Sequence, residues 1–171
     1  MKKIYLLFIA LIFLLTSCSL GGGNMQKTSN QKAENRLEQI INGIQNHDGD
    51  ALKALFSVNA IKESKDIDEC INYMFEYFQG TIQSYSWGDN TIGPISDISV
   101  NHGKKKVELK SWFSVITDEE KYMFFTLDYP QDTFDSDNVG LYTLRVVKEC
   151  DKDTQMTYWQ DMKIPGIYIP Q

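Results

Sequence analysis

The chain has 171 residues, 42% of them apolar, and 17 basic against 23 acidic side chains give a net charge of −6. That length suits one domain with an ordinary core, and the composition excludes disordered, collagenous and polytopic membrane classes. The acidic balance excludes general nucleic-acid binding, which needs a positive field over the phosphates.

Met1-Lys2-Lys3 is a short positive start, followed by an unbroken apolar run over 4–15. The run is too short to cross a hydrocarbon core, which takes about 20 helical residues. It fits the apolar stretch of a secretory signal peptide spanning 1–17. Leu15-Thr16-Ser17-Cys18 closes it and resembles a bacterial lipobox: an aliphatic residue, two small residues, then a cysteine. The small side chains suit the peptidase subsites, and the Cys18 sulfur is the nucleophile that becomes a diacylglyceryl thioether. The expectation is an acylated N-terminal Cys18 that anchors the chain in the bilayer, on the extracytoplasmic face of the cell membrane. Loss of Lys2 and Lys3 from the 17 basic residues leaves 15 against 23 acidic ones, a net charge of −8. Residues 18–31, rich in Gly, Ser and Asn, read as a flexible tether. As a coil it would span ~20 Å.

The folded domain is expected over 32–171. In 32–46, Ala33, Leu37, Ile40, Ile41 and Ile44 share one helical face, and Thr28 with Gln31, or Asn30 alone, could cap it. His47-Asp48-Gly49 breaks the pattern. A short helix over 50–57 turns Leu52, Leu55 and Phe56 inward. Asp66 can cap a third helix, with Glu69 bonding back. Its stripe is Ile67, Ile71, Met74, Phe75 and Phe78, and Gly80 is placed to end it. Strands follow at 81–87, 92–100, 105–116, 122–129 and 139–148, with a polar loop at 130–138. A last strand over 157–169 is interrupted by Pro165. Val107, Leu109, Phe113 and Val115 fall on one side of the long strand, while Trp112 faces the other way. Helices first and a strand meander afterwards predict an α+β fold, with helices on one side of a curved antiparallel sheet and a partial cover on the other.

Few residues suggest chemistry. Cys70 and Cys150 could form a disulfide in an exported protein, or Cys70 could be a buried free thiol beside its helix stripe. His47 and His102 lie in turns without a second ligand at metal spacing. The acidic run Asp132-Thr133-Phe134-Asp135-Ser136-Asp137-Asn138 offers oxygen ligands for calcium. It fails EF-hand spacing and reads equally as an Asx-turn loop. Lys104-Lys105-Lys106 reads as edge protection at a hairpin. Arg145, one of two arginines, could bind an anion in a pocket, face solvent or pair with a strand carboxylate. Asp128 beside Tyr129 would make an acid–base pair if buried. No nucleophile elbow, phosphate loop or dinucleotide fingerprint occurs, so no cofactor or metal is expected.

Asp48-Gly49-Asp50-Ala51-Leu52, leading to Leu55-Phe56-Ser57, resembles the second-helix signature of nuclear transport factor two-like (cystatin-like) domains. Those are α+β cones in which helices pack into a strongly bent antiparallel sheet. The chain also resembles a family of uncharacterised Gram-positive lipoproteins. The matching features are the lipobox, Tyr77-Phe78-Gln79-Gly80, Val139-Gly140-Leu141-Tyr142-Thr143-Leu144 and Gly166-Ile167-Tyr168-Ile169-Pro170, within a resemblance covering Ala33 to Pro170. That family supplies no catalytic residues to transfer. The resemblance implies a cone pocket; strand alternation places Phe113, Phe125, Tyr142 and Leu144 in it, and Arg145 is a further candidate for it. The reading that follows is a membrane-anchored, non-enzymatic binding or interaction domain for a small apolar ligand, a peptide or an envelope protein. The alternatives are an enzyme using Asp128, Tyr129 or Arg145 in the same pocket, and a cone filled by its aromatics.

Overall fold

A computed structural model describes residues 20–88, 93–156 and 163–170. The signal peptide, Leu15, Thr16, Ser17, Cys18 and the first part of the expected last strand lie outside the described residues. Four helices come first: α1 (Leu20–Gln45), α2 (Gly49–Ala54), α3 (Val58–Glu63) and α4 (Ile67–Tyr77). The strands are β1 (Ile82–Trp87), β2 (Ile95–Asn101), β3 (Lys104–Thr117), β4 (Lys121–Asp132), β5 (Gly140–Lys148) and β6 (Gly166–Tyr168). A short α5 (Lys152–Gln155) follows β5. The fold is α+β, with the helices N-terminal to a six-stranded sheet. No helix among the described residues is long and apolar enough to cross a membrane.

The periodic positions of α1 are all buried, from Ala33 to Ile44. Its backbone is helical from Leu20, so 20–31 continues the helix instead of forming the expected coil. Once a packed stripe has nucleated a helix, each further residue adds a hydrogen bond without a new nucleation step. A methyl group at Gly43 would fall 2.5 Å from Leu52 Cγ, so glycine is what lets α1 and α2 approach this closely. Asp48 caps α2 by accepting from Ala51 N at 2.9 Å, and Ser57 caps α3 by accepting from Ala60 N at 3.1 Å. Asp66 caps α4 through Asp68 N and Glu69 N at 3.0 and 3.1 Å. The end of α4 differs from the expectation. The cap is Phe78, in extended conformation, and Gly80 lies two residues beyond it. The Tyr122 hydroxyl accepts from Gln79 N at 2.8 Å and donates to Tyr77 O at 3.3 Å, so the sheet, and not a left-handed glycine, satisfies this terminus.

The sheet order is β1-β3-β4-β5-β6, with β2 also paired to β3. β1 meets the second half of β3 and β2 the first half. Two expectations fail here. The sheet is mixed, because β6 runs parallel to β5, and it is neither closed nor strongly curled. The return from β5 through α5 and the following segment brings β6 in from the opposite end, which a hairpin cannot do. β4 runs past Tyr129 through Pro130. Its ladder with β5 ends at Tyr129↔Gly140, so the missing proline N–H leaves no donor short.

The helices cover one face of the sheet. Their apolar stripes meet Phe113, Val115, Tyr122, Phe124, Leu141, Leu144 and Val146 in one core. The opposite face carries a smaller cluster of Phe125, Leu127 and Tyr129, partly covered by Trp112, Tyr142 and Met156. The outward Trp112 and the partial cover agree with the sequence pattern.

Candidate functional site

The five residues assigned to a pocket do not come together. Phe113 and Leu144 are in the helix-side core. Phe125 pairs with Trp112 and Arg145 on the other face. Phe113 lies opposite Phe124, and not opposite Phe125, so the two expected neighbours point to opposite sides of the sheet. Arg145 is buried and stacks 4.0 Å over the Tyr168 ring instead of facing solvent. Tyr142 donates to Glu63 Oε2 at 2.6 Å. Burial, then this carboxylate, pushes its phenol up to about 12.

None of those five lines either of two clefts found among the described residues, but Tyr142 touches their walls through Glu63 and Tyr129, and Arg145 through the Tyr168 ring. The larger cleft, about 890 Å3, lies between the α3–α4 corner and the β6 segment. Its apolar side is Ile164, Pro165, Ile167 and Ile169, while Glu63, Asp66 and Glu69 stand on the helix side with Lys65 as the one cation of the lining. The positions follow from local sequence. The Asp66 cap starts α4, which places Glu69, Cys70 and Tyr73 along its cleft-facing side. Tyr73 donates to Pro170 O at 3.2 Å and ties the helix to the C-terminal segment. The Cys70 thiol is raised above its ordinary value by burial, then by Glu69 and Asp66. Cys70 and Cys150 are both free thiols; the possible disulfide is not formed.

The smaller cleft, about 290 Å3, lies where α1 crosses β4, over Leu109, Asp128, Tyr129 and Pro130. Here Asp128 is buried beside Tyr129, as the acid–base reading requires. Its carboxylate is taken by Arg36, through both Nε and Nη2, and Arg36 also donates to Gln39 at 3.1 Å. Burial, then the Glu108 carboxylate, holds the Tyr129 phenol well above its ordinary value. The lining contains no Ser, Thr, Cys or His. Asp128 is thus engaged in an ion pair with Arg36 in the wall of this cleft.

The remaining candidates are structural. Asp132 Oδ1 accepts from Phe134 N and Asp135 N, and Asp132 Oδ2 from Asn138 Nδ2. Burial pushes its carboxyl up, but these donors more than offset that and hold it low. The acidic loop is therefore built from Asx-turns. No group of three His, Cys, Asp or Glu residues among the described residues is placed to hold a metal. His47 and His102 sit in turns with φ of 50° and 48°, and the His47 ring stacks on Phe75 at 4.9 Å. Lys106 lies 4.3 Å over the Tyr129 ring and Lys104 lies 5.9 Å over Phe134. Those two lysines serve β4 and its loop, and do not guard an edge.

The profile of a family described as Domain of unknown function (DUF5104) matches residues 39–149. The chain belongs to this family. The DUF5104 match runs from the second half of α1 through β5 and leaves out Arg36 and β6. No curated protein matches the chain. Sequence reasoning missed the larger cleft of this DUF5104 protein. The available signal was Glu63, Asp66 and Glu69 at three-residue spacing, facing an apolar C-terminal run.

Proposed function

We propose that the protein is an extracytoplasmic lipoprotein, moored to the cell membrane through acylated Cys18, whose domain binds a small apolar ligand carrying a positive charge. The observation that carries the binding reading is the cleft of about 890 Å3 between α4 and β6. Its volume lies within the range of small-molecule sites. Isoleucine and proline form one wall, and three carboxylates against one lysine stand on the other. Apolar surface and a net negative rim favour a cationic amphiphile over an anionic one. Helices preceding the sheet also support kinship with nuclear transport factor two-like domains, in an opened form.

Cys70 lies in the wall and reports occupancy. In full-length Cys150→Ser protein, decylamine should slow alkylation of Cys70 by a maleimide several-fold, and decanoate should not. Equal rates with and without the amine would overturn the binding reading. For the anchor, Cys18→Ala should abolish palmitate labelling and release the protein from the membrane fraction; unchanged labelling refutes it.

A further inference from the structure

The outer edge of β2 has no partner strand among the described residues. It is seven residues long, and six of them are exposed. Natural edge strands are blunted by shortness, bulges, Pro, Lys or a covering element. β2 has no bulge, Pro or Lys, and no element among the described residues covers it. Its register with β3 is unbroken from Ile95↔Lys110 to Asn101↔Lys104. Its sequence, Ile-Ser-Asp-Ile-Ser-Val-Asn, holds one charge, and that charge, on the exposed Asp97, is paired with Lys110 of β3 at 2.7 Å. Ile98 and Val100 remain 41% and 68% exposed.

The strand is also complementary to itself. Antiparallel pairing of two copies about a two-fold axis at Ile98 uses all seven residues. Ile98 then meets the partner's Ile98, Val100 meets Ser96, and Asp97 meets Ser99. Since Ile98 pairs with Val107 of β3, one face gains a row of four β-branched side chains: Val107, Ile98 and the same two from the second copy. Such cross-strand neighbours are the stabilising unit of a sheet. On the other face Asp97 pairs with Glu108, and Ser99 with Lys106. The symmetric register therefore aligns the acidic end of each row with the basic end of the other, and brings no like charges directly opposite. A register centred one residue earlier would oppose Asp97 to Asp97, which is destabilising.

We propose that β2 docks a second copy of this chain, edge to edge, in an isologous dimer centred on Ile98. The test uses full-length chain in detergent, with Cys70 and Cys150 changed to Ser. The parent should sediment as a dimer at tens of micromolar, and Ile98→Lys should shift it to monomer with its circular dichroism unchanged. Ile98→Cys should form an intermolecular disulfide on mild oxidation, because directly opposed Cα atoms in this geometry lie ~5 Å apart. Val100→Cys, opposite Ser96, should crosslink at least tenfold less. A monomeric parent at every concentration would overturn the proposal and leave the edge to a different chain. Equal crosslinking at positions 98 and 100 would overturn the register.

Discussion

The two faces of the central sheet are built on different chemistry from the same strands. On the helix side, Phe113, Phe124 and Val146 lie in line across β3, β4 and β5 and belong to the core under the helices, with Trp87 of β1 stacked on Phe113. On the other side, the next row is Trp112, Phe125 and Arg145, continued by Tyr168. There, cations lie on rings, and Glu108 takes Lys110 at 2.7 Å and Lys163 at 3.1 Å. The difference teaches that one layer of helices suffices to make a dry face. The other face, over which the described residues place α5 and the C-terminal segment, is closed by long side chains that keep their charged ends near water.

The largest expected effect separates adjacent phenylalanines of β4. Phe124→Ala should cost ~3–5 kcal/mol in urea unfolding, because the rigid helix layer cannot fill the cavity. Phe125→Ala should cost at least ~1 kcal/mol less, since Trp112 and Met156 can move into the space. Equal costs would erase the contrast between the faces. Next comes Tyr122→Phe, which removes a hydroxyl serving the α4 terminus. The expected loss is ~1–2 kcal/mol, with faster amide exchange at Gln79; an unaltered Gln79 rate would show that the hydroxyl does not hold that end.

The outer face should also be the pH-sensitive one. Burial pushes the Glu108 carboxyl up, but Lys110 and Lys163 more than offset this and hold it below its ordinary value. A carboxylate with a lowered folded pKa contributes stability above its unfolded value, near 4.3. That contribution disappears as pH falls through the folded value. The parent should therefore exceed Glu108→Gln by up to ~1 kcal/mol at neutral pH, given solvent screening of the pair, and the gap should close in acid. A gap that persists below pH 3 would assign it to packing. The smallest effect is that of Lys106→Met, which removes the cation over Tyr129 and should cost about 0.5–1 kcal/mol by thermal unfolding.

The helices were legible where an apolar period ran for three turns, as in α1 and α4. The six-residue α3 was not, because Val58 to Glu63 is too short to show a period, although Ser57 was available as a cap. The strands were legible in position but not in facing. Alternation assigns sides within one strand, whereas Phe113 and Phe125 belong to two strands whose register places Phe124 opposite Phe113. Irregularities between Val107 and Leu109, and between Leu127 and Asp128, shift the pattern again. The larger cleft was hidden for a similar reason. It depends on the parallel return of β6, and no local pattern specifies which strand a three-residue segment will join.

The connection between α2 and α3 is held to the start of β5 by backbone alone. Ser57 N donates to Leu141 O and Leu141 N to Leu55 O, both at 2.9 Å. Gly140, at φ +128°, lies so close that a methyl group there would be 3.0 Å from Ser57 N. Two layers sewn together in this way cannot come apart one at a time. The amides of Ser57 and Leu141 should swap their protons for deuterons only when the whole molecule opens, at one common rate, which would mark helices and sheet as a single cooperative unit.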